Sequence, residues 1–316
     1  MSVIELDNVS RTFTVSSRAG LLRRTRRDVR AVDDLSFSIE AGEVVGYIGP
    51  NGAGKSTTIK MLTGVLVPSG GSIKVAGIDP SKNRLKLARR IGVVFGQRTT
   101  LWWDLPLKDS FDVLHKMYGV PQARYAENLE TFVELLELGD LLDVPVRALS
   151  LGQRMRGDIA AALLHDPEIV YLDEPTIGLD IVSKAKLREF LAGINQQRRT
   201  TIVLTTHDLD DIEALCSRVM VIDHGHKVYD GTLAGLRASQ GAPRTLVVDL
   251  ASSMDPIRID GAEVVKVDGP RQWLSFPAAE SAAPLVAQVA ARYPLVDLSV
   301  AEPSIEDVIA RIYAGV

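Results

Sequence analysis

The sequence has few of the features that mark secreted and membrane-spanning proteins. It contains one cysteine, Cys216, so no disulfide can form within the chain, which fits a reducing compartment. We interpret Cys216 as a small buried residue. No stretch approaches the roughly 20 uninterrupted apolar residues of a transmembrane helix, and Met1–Glu5 lacks the basic and apolar regions of a signal peptide. We therefore expect a soluble chain that acts at a membrane only through a partner.

The chain does have an ordinary globular composition, with 316 residues of which 46% are apolar and 24% charged. This length suggests one large domain and a smaller one, because single cores stop growing at about 250–300 residues. The charge is unevenly distributed. The segment 18–30 carries six arginines against one aspartate, a net charge of +5, whereas the whole chain carries −4. The remainder of the chain therefore sums to −9.

This basic insert, residues 18–30, is open to three interpretations. The first is a solvated surface loop between two strands. The second is a contact with anionic lipid headgroups or with a cytosolic loop of a membrane partner. Leu21 and Leu22 beside Arg23 and Arg24 have the composition of a short interfacial segment. Nucleic acid is a weaker third option, because the acidic remainder would repel it, and we expect no nucleic-acid partner.

The residues 49–57 (GPNGAGKST) fit the phosphate-binding pattern G-x-x-x-x-G-K-[ST]. The apolar run 44–48 before them predicts a buried parallel strand, and 58–62 after them predict the first turns of a helix. Glycines let backbone N–H groups converge on phosphate oxygens, and the helix N-terminus adds its positive dipole end. Lys55 would contact the β- and γ-phosphates, and Ser56 would ligate Mg²⁺. The predicted nucleotide-binding residues are Gly49, Pro50, Asn51, Gly52, Ala53, Gly54, Lys55, Ser56 and Thr57.

Short strands alternate with helices over most of the chain. Apolar or β-branched runs occur at 44–48, 91–95, 168–172 and 201–205. Helical patterns lie between them, with an apolar face formed by Leu135, Leu136, Leu138, Leu141 and Leu142, and with Ser150 as a plausible helix cap. This alternation predicts an α/β fold with a mostly parallel sheet covered by helices on both faces.

The pattern changes near residue 241. Short strands are predicted at 245–250, 263–267, 272–276 and 296–300, with helices at 282–292 and from about 303 onward. We therefore predict an α/β domain over 1–240, with a helical subdomain at about 98–165, and a small α+β domain over 241–316. The second domain shows no motif that indicates chemistry.

Polar residues follow several of the predicted strands. Ligand-binding groups of an open α/β sheet lie at the carboxyl ends of its strands. Asp173 could hold Mg²⁺ there, whereas the adjacent Glu174 points elsewhere and is available to polarise a water. His207 and Gln97 end two further strands. His207 could reach the γ-phosphate, and Gln97 could offer its amide to Mg²⁺ and water. We expect these groups to converge on one nucleotide.

Taken together, the motifs resemble those of the ATP-binding cassette (ABC) ATPases. The matches are residues 49–57 with Walker A, Gln97 with the Q-loop, 149–153 (LSLGQ) with the signature, 169–174 with Walker B, 176–180 with the D-loop, and His207 with the switch histidine. Their order and spacing agree across residues 3 to about 238. Leu151 stands where many members have glycine. The resemblance implies a P-loop NTPase core with additional antiparallel strands and a helical subdomain.

The resemblance also implies a mechanism. ATP and Mg²⁺ would be the cofactors, with Lys55, Mg²⁺ and His207 stabilising charge and Glu174 orienting water. Phe13 is the candidate for the aromatic that stacks on adenine. Two subunits would pair head to tail, most simply as a homodimer. The residues that would contact the nucleotide bound by the other subunit are Ser150, Gly152, Gln153 and Asp180.

The sequence also resembles one group within this family. The pattern at 47–49, the loop 97–103 with Trp102 and Trp103, and the segments 176–180 and 302–307 resemble the ATPase subunits of bacterial ABC-2 type exporters, including those like the daunorubicin-resistance exporters. Such subunits are peripheral at the cytoplasmic face and serve a separate permease, which would dock beside the two tryptophans. The alternative is a regulatory ATPase that clamps another macromolecule, with the basic insert as its contact.

Overall fold

The computed structural model describes residues 1–18, 24–96, 98–206, 208–239, 243–278, 280–303 and 305–314. Contacts between Cα atoms divide the chain into two compact units, Met1–Asp230 and Gly231–Val316. The predicted boundary lay at 240/241. The helix at 233–239 belongs to the second unit, where it contacts the helix at 305–314. Within the described residues, no helix is long and apolar enough to span a bilayer.

The elements follow the predicted alternation. Those of the first unit are β1 (Ser2–Arg18), β2 (Arg24–Glu40), β3 (Val44–Ile48), α1 (Lys55–Leu62), β4 (Gly70–Val75), α2 (Arg84–Ala88), β5 (Ile91–Phe95), α3 (Leu107–Tyr118), α4 (Gln122–Leu135), α5 (Leu151–Leu163), β6 (Ile169–Asp173), α6 (Ile181–Arg198), β7 (Thr201–Thr205), α7 (Leu209–Leu215), β8 (Arg218–Asp223) and β9 (His226–Gly231). Those of the second unit are α8 (Leu233–Ser239), β10 (Arg244–Leu250), β11 (Glu263–Asp268), β12 (Arg271–Phe276), α9 (Ala282–Arg292), β13 (Leu295–Ala301) and α10 (Ile305–Ala314).

The main sheet of the first unit has the strand order β5-β6-β7-β3-β8-β9. The neighbours from β5 to β8 pair in parallel. Every residue of β3 and β7 is buried. Strands buried on both faces must be apolar throughout, which is why the short unbroken runs in the sequence identify them. The order brings the carboxyl ends of β5, β6, β7 and β3 to one edge, and the P-loop NTPase fold predicted from the sequence is confirmed.

A second sheet of the first unit, with the order β2-β1-β4, is antiparallel. Here the interpretation of the basic insert as a loop is wrong for residues 24–30, which form the first part of β2. They pair with β1 from Arg18↔Arg24 to Thr12↔Arg30. The sequence of this segment does not reveal a strand, because its residues 26–30 are all exposed and an exposed strand needs no alternation of apolar and polar residues. Leu21, Leu22 and Arg23 lie outside the described residues.

The helices α3, α4 and α5 form the helical part expected at about 98–165. Phe111 of α3 and Phe132 of α4 are fully buried. The predicted apolar face is present in part, since Leu136 and Leu138 are buried whereas Leu135 is 49% exposed. The prediction assumed one helix through all five leucines, but α4 ends at Leu135, so the helical period does not set which of the later leucines are buried.

The second unit is an antiparallel sheet with helices. Its strand order is β11-β12-β10-β13. Alternate residues of β10 and β12 are buried, and with residues of α9 they form a separate core that includes Leu246, Val248, Leu274, Phe276 and Val289. The alternation in the sequence thus predicts which sheet face is covered. The α+β class expected for this part of the chain agrees with this arrangement.

Candidate functional site

The predicted phosphate loop joins β3 to α1. Gly52 and Gly54 have φ of 87° and 104°, which L side chains rarely adopt. A Cβ atom on Gly54 would lie 2.4 Å from the carbonyl oxygen of Ala31, and one on Gly49 would lie 2.3 Å from that of Ile222. Both positions therefore exclude any side chain. Among the described residues, no side chain caps the N-terminus of α1. Its first N–H groups are thus suited to bind an anion.

Lys55, the first residue of α1, turns back across this loop. Its Nζ donates to the carbonyl oxygens of Gly49 (2.5 Å) and Pro50 (3.1 Å). Burial lowers the pKa of Lys55, and the carboxylates of Glu174 and Asp173 oppose this change. The ammonium group therefore lies within the field of both acidic residues, between the loop and the end of β6. Phosphate oxygens could replace the two carbonyls as its acceptors.

Asp173 ends β6 and is fixed by the neighbouring strand. Its Oδ1 accepts a hydrogen bond of 2.5 Å from the hydroxyl of Thr205, its register partner on β7. Glu174 then leaves the sheet with φ of 55°, a left-handed conformation that costs a non-glycine residue about 1–3 kcal/mol. Its N–H is held by the carbonyl of Thr205 at 2.9 Å. The backbone thus changes direction between the two adjacent acids, and their division of roles stays a prediction.

Gly96 is a site residue that the sequence analysis missed. It follows β5, the neighbour of β6, and a Cβ atom on it would lie 2.7 Å from the carbonyl oxygen of Asp173 and 3.0 Å from Cβ of Glu174. Only glycine lets the chain pass this close to the acidic pair. The signal was a glycine at the end of an apolar strand, which often marks a close approach of backbone. Gln97 and His207, both predicted to belong here, lie outside the described residues.

A buried carboxylate, Asp211, organises the region behind the acidic pair. Its Oδ2 accepts from the hydroxyl of Thr176 at 2.6 Å and from that of Thr206 at 3.4 Å, and its Oδ1 accepts from Arg188 at 2.6 Å. Asp211 is completely buried. The hydroxyl of Thr206 in turn accepts the N–H of Asp208 at 2.9 Å. Asp211 therefore connects the start of the predicted D-loop, α6, and the residues on both sides of position 207.

The sequence analysis also missed Asp211. The signal was a charged residue next to Ile212 in the first turn of α7, where helical periodicity places it on the buried side. A buried carboxylate needs partners. Two of those partners, Thr176 and Arg188, lie more than 20 residues away in sequence, and no sequence period links them to Asp211.

The predicted signature segment begins α5. Ser150 caps this helix reciprocally: its hydroxyl accepts the N–H of Gln153 at 3.2 Å, and the Gln153 side chain accepts the N–H of Ser150 at 2.9 Å. A Cβ atom on Gly152 would lie 2.9 Å from the Leu179 side chain, and one on Gly178 would lie 2.6 Å from that of Leu151. The start of α5 thus packs against the predicted D-loop of the same chain.

Asp180, at the end of that loop, caps α6. It accepts from the N–H and the hydroxyl of Ser183 at 2.9 and 2.8 Å, and these bonds lower its pKa. Ser150 and Asp180 are both exposed. The residues predicted to contact a second subunit therefore form one group, whereas Lys55, Asp173 and Glu174 form another. The contact across a dimer stays a prediction.

Phe13, the candidate adenine-stacking residue, lies on β1 opposite Val29. Its ring is partly buried, and the guanidinium of Arg11 lies 4.7 Å from the ring centroid. A cation over one face leaves the opposite face for a flat ligand. Its role in nucleotide binding stays a prediction.

Comparison with known proteins identifies the relatives of this arrangement. A family model described as "ABC transporter" matches residues 32–177. The chain is 37% identical to the ABC transporter ATP-binding protein NatA of Bacillus subtilis, over 68% of this chain and 87% of that protein. It is 35% identical to the daunorubicin/doxorubicin resistance ATP-binding protein DrrA of Streptomyces peucetius, over 78% of each.

Two further matches extend this result. The methionine import ATP-binding protein MetN of Latilactobacillus sakei is 31% identical over 91% of this chain and 86% of that protein. A dimeric ATP-binding cassette, solved in a post-hydrolysis state with ADP and phosphate, superposes with a TM-score of 0.62 at 25% identity, over 73% of this chain and 98% of that chain. The relatives thus include proteins named for import as well as for drug resistance.

Proposed function

The chain belongs to the family of ABC transporter ATP-binding proteins and is an ATPase of that family, and on this premise we propose that it powers a separate membrane permease in the export of hydrophobic compounds. The use of ATP in this proposal rests on the position of Lys55, held between the phosphate loop and the carboxylates of Asp173 and Glu174, and the export of hydrophobic compounds rests on the similarity to DrrA. This arrangement suits the binding and cleavage of a nucleoside triphosphate.

The proposed roles follow from the geometry. The N–H groups at the start of α1 and the ammonium of Lys55 bind the phosphates of ATP. Ser56, in the first turn of α1, and Asp173 offer the oxygen ligands that Mg²⁺ prefers, and Gln97 would complete the set. Bound Mg²⁺ would neutralise charge on the phosphates. Glu174, which follows Asp173 in a left-handed backbone conformation, orients and polarises the attacking water. We propose that His207 adds charge stabilisation at the γ-phosphate.

The proposed assembly is a homodimer in which ATP closes the two cassettes. Family members act as dimers with membrane permeases. In this chain Ser150 and Asp180 are exposed, and the capping box holds the signature segment in shape. We propose that this exposed group, with Gly152 and Gln153, closes over the ATP bound to the other subunit.

A groove in the helical part supports the proposal that a permease docks here. It lies where the helical part meets β5 and α2, has a volume of about 180 Å³, and its mostly apolar lining includes Val93, Phe95, Thr100, Leu114 and Tyr118. Trp102 and Trp103 follow in sequence and are 37% and 49% exposed. Aromatic residues are enriched in the binding hot spots of interfaces. We propose that a cytosolic helix of the permease fills the groove, which would place the chain peripherally at the cytoplasmic face.

The first test is the hydrolysis of ATP by a Glu174→Gln variant. We expect turnover to fall by about 10²–10⁴-fold, because the water loses its base, while ATP binding is retained. Glu130→Gln, at an exposed position of α4, is the matched control and should be fully active. Full activity of Glu174→Gln would contradict its proposed role.

The second test is the partner. We expect the tagged Glu174→Gln protein, with ATP and Mg²⁺, to capture a multi-span protein in stoichiometric amount from detergent-solubilised membranes of its host. Recovery of soluble partners alone would overturn the transporter proposal in favour of a regulatory clamp. The substances accumulated by cells that lack the identified permease would then show whether the pair exports.

A further inference from the structure

β1 and β2 extend together beyond the sheet to which they belong. The third strand, β4, pairs with β1 no further than Ser10, whereas β1 and β2 stay paired from Thr12↔Arg30 to Arg18↔Arg24. We call residues 12–18 and 24–30 the arginine ribbon. A two-stranded ribbon by itself is only marginally stable in water. A surface that covers one of its faces would therefore stabilise it.

The described side chains divide between two faces, because directly paired residues point to the same side of a sheet. Phe13 pairs with Val29 and Val15 pairs with Arg27, so these four share one face. Val15 is 51% exposed and Val29 is 41% exposed. Two half-exposed β-branched residues next to an arginine give this face an apolar surface with a cation on it.

The opposite face is polar and charged. It contains Thr12, Thr14, Arg26, Asp28 and Arg30. Asp28 accepts a hydrogen bond from Thr14 at 2.7 Å, and Arg30 pairs with Asp33 at 3.0 Å. Arg26 and Arg27 are exposed and make no ion pair with any residue that the structure describes. The two cations are therefore available to an external anion.

We propose that the arginine ribbon binds the surface of an anionic phospholipid bilayer. Arg27 would pair with lipid phosphates beside the exposed valines, which would enter the headgroup region, and the arginines of the opposite face would add attraction over the few ångströms that salt does not screen. The ribbon, with five arginines and one aspartate, carries +4 while the rest of the chain carries −8, so an anionic surface attracts the ribbon and repels the remainder. That contrast would orient the chain on the membrane.

Nucleic acid fits these features less well. It offers phosphates in the same way, but a duplex backbone gives no apolar phase in which Val15 and Val29 could be buried. The proposal is independent of the proposed transport function, because vesicle binding by the chain alone can succeed or fail whether or not Glu174→Gln loses turnover.

The experiment is co-sedimentation of the purified full chain with vesicles of phosphatidylcholine alone and with vesicles of equimolar phosphatidylcholine and phosphatidylglycerol. We expect binding to the mixed vesicles only, weakening as salt rises because the Debye length shrinks. Each arginine near an anionic surface contributes roughly fivefold to the partition coefficient. The triple variant R24Q/R26Q/R27Q should therefore bind at least roughly fivefold more weakly, from Arg27 alone, and at most roughly 100-fold if all three cations lie near the surface.

The matched control is R84Q/K86Q/R89Q, which removes three exposed cations in and directly after α2. It should bind the mixed vesicles as the unmodified chain does. The double variant V15S/V29S should weaken binding and leave its salt dependence unchanged. Thermal midpoints and ATP affinities like those of the unmodified chain would show that the variants are folded.

Three results would overturn the proposal. One is wild-type vesicle binding by the arginine variant, and another is an equal loss in the α2 control, which would indicate a general charge effect. The third is failure of the unmodified chain to bind the mixed vesicles. If duplex DNA were bound more tightly than the vesicles at the same salt concentration, the ribbon would be a nucleic-acid contact instead.

Discussion

Asp211 supports a prediction about both stability and turnover. The Asp211→Ala change would leave Arg188, which is 21% exposed, with only its 3.6 Å contact to Asp208, and Thr176 without its acceptor. Removing one partner of a fully buried ion pair costs about 3–5 kcal/mol; because Arg188 keeps Asp208 and some exposure, we expect a loss of about 3 kcal/mol, still a large part of the 5–15 kcal/mol typical of a folded domain. Asp211→Asn keeps the volume and an acceptor oxygen, so we expect a smaller loss of about 1–3 kcal/mol.

The same change should affect catalysis more than binding. Asp211 holds Thr206, whose hydroxyl holds the N–H of Asp208, so its loss frees the residues on both sides of position 207. A displacement of a catalytic group by about 1 Å can lower a rate by about 100-fold. The phosphate loop makes no contact with Asp211 that depends on this carboxylate. We therefore expect kcat to fall by up to about 100-fold, with little change in ATP affinity.

The assay is urea unfolding followed by far-UV circular dichroism, together with steady-state ATP hydrolysis. Asp210→Ala is the matched control, because this neighbouring acid lies in the same helical turn and is exposed. It should lose no more than about 1 kcal/mol through its interaction with the helix dipole. If Asp211→Ala unfolded like Asp210→Ala, or lost ATP affinity and kcat together, the organising role of Asp211 would be refuted.

Three further predictions concern single positions. Gly54→Ala should abolish ATP binding, because its Cβ atom would lie 2.4 Å from a backbone oxygen and the residue has a φ of 104°. Its control is Gly193→Ala, in open space within α6, which should raise the free energy of unfolding in urea by about 0.5–1 kcal/mol. Tyr171→Phe should raise the free energy of unfolding by about 1–3 kcal/mol, since the buried Tyr171 hydroxyl has no hydrogen-bond partner among the described residues. Its control is Tyr47→Phe, which loses a hydrogen bond to a buried threonine and should lower the free energy of unfolding by about 0.5–1.5 kcal/mol. Burial lowers the pKa of His165, so as the pH falls the unfolded chain binds a proton before the folded chain does. The stability of the folded chain should therefore decrease below about pH 6.5. The thermal midpoint of His165→Gln should fall less steeply with decreasing pH than that of the unmodified chain.

The central sheet could be predicted because its signal is local. Val44–Ile48 and Thr201–Thr205 are short unbroken runs of apolar or β-branched residues, and strands buried on both faces need such runs. The arginine ribbon could not, because an exposed two-stranded ribbon has no covered face to impose a period on the sequence. Its strand state comes from pairing between β1 and β2, which no single stretch of sequence contains.

The candidate site divides in the same way. The proximity of Lys55 to Asp173 and Glu174 could be predicted, because each follows a recognisable strand or loop within a few residues, whereas their roles stay predictions. Gly96 and Asp211 could not, since each acts on a segment that the fold brings to it. Gly96 lies against Asp173 across the pairing of β5 and β6, and Asp211 binds Thr176 and Arg188 from two other segments. Local motifs thus identify the groups that would touch ATP, whereas the residues that support those groups require the structure.

The substitution of Leu151 for the glycine common in this family has a structural counterpart. A side chain at this position needs space, and Gly178 of the D-loop supplies it, because a Cβ atom there would lie 2.6 Å from Leu151. Gly152 lies against Leu179 in the same way, so each of the two segments contributes one glycine and one leucine to the contact. Each segment is also capped on its own, by Ser150 with Gln153 and by Asp180 with Ser183. The two segments proposed to meet a second subunit therefore form one packed body within the chain, and a change in either one should be transmitted to the other.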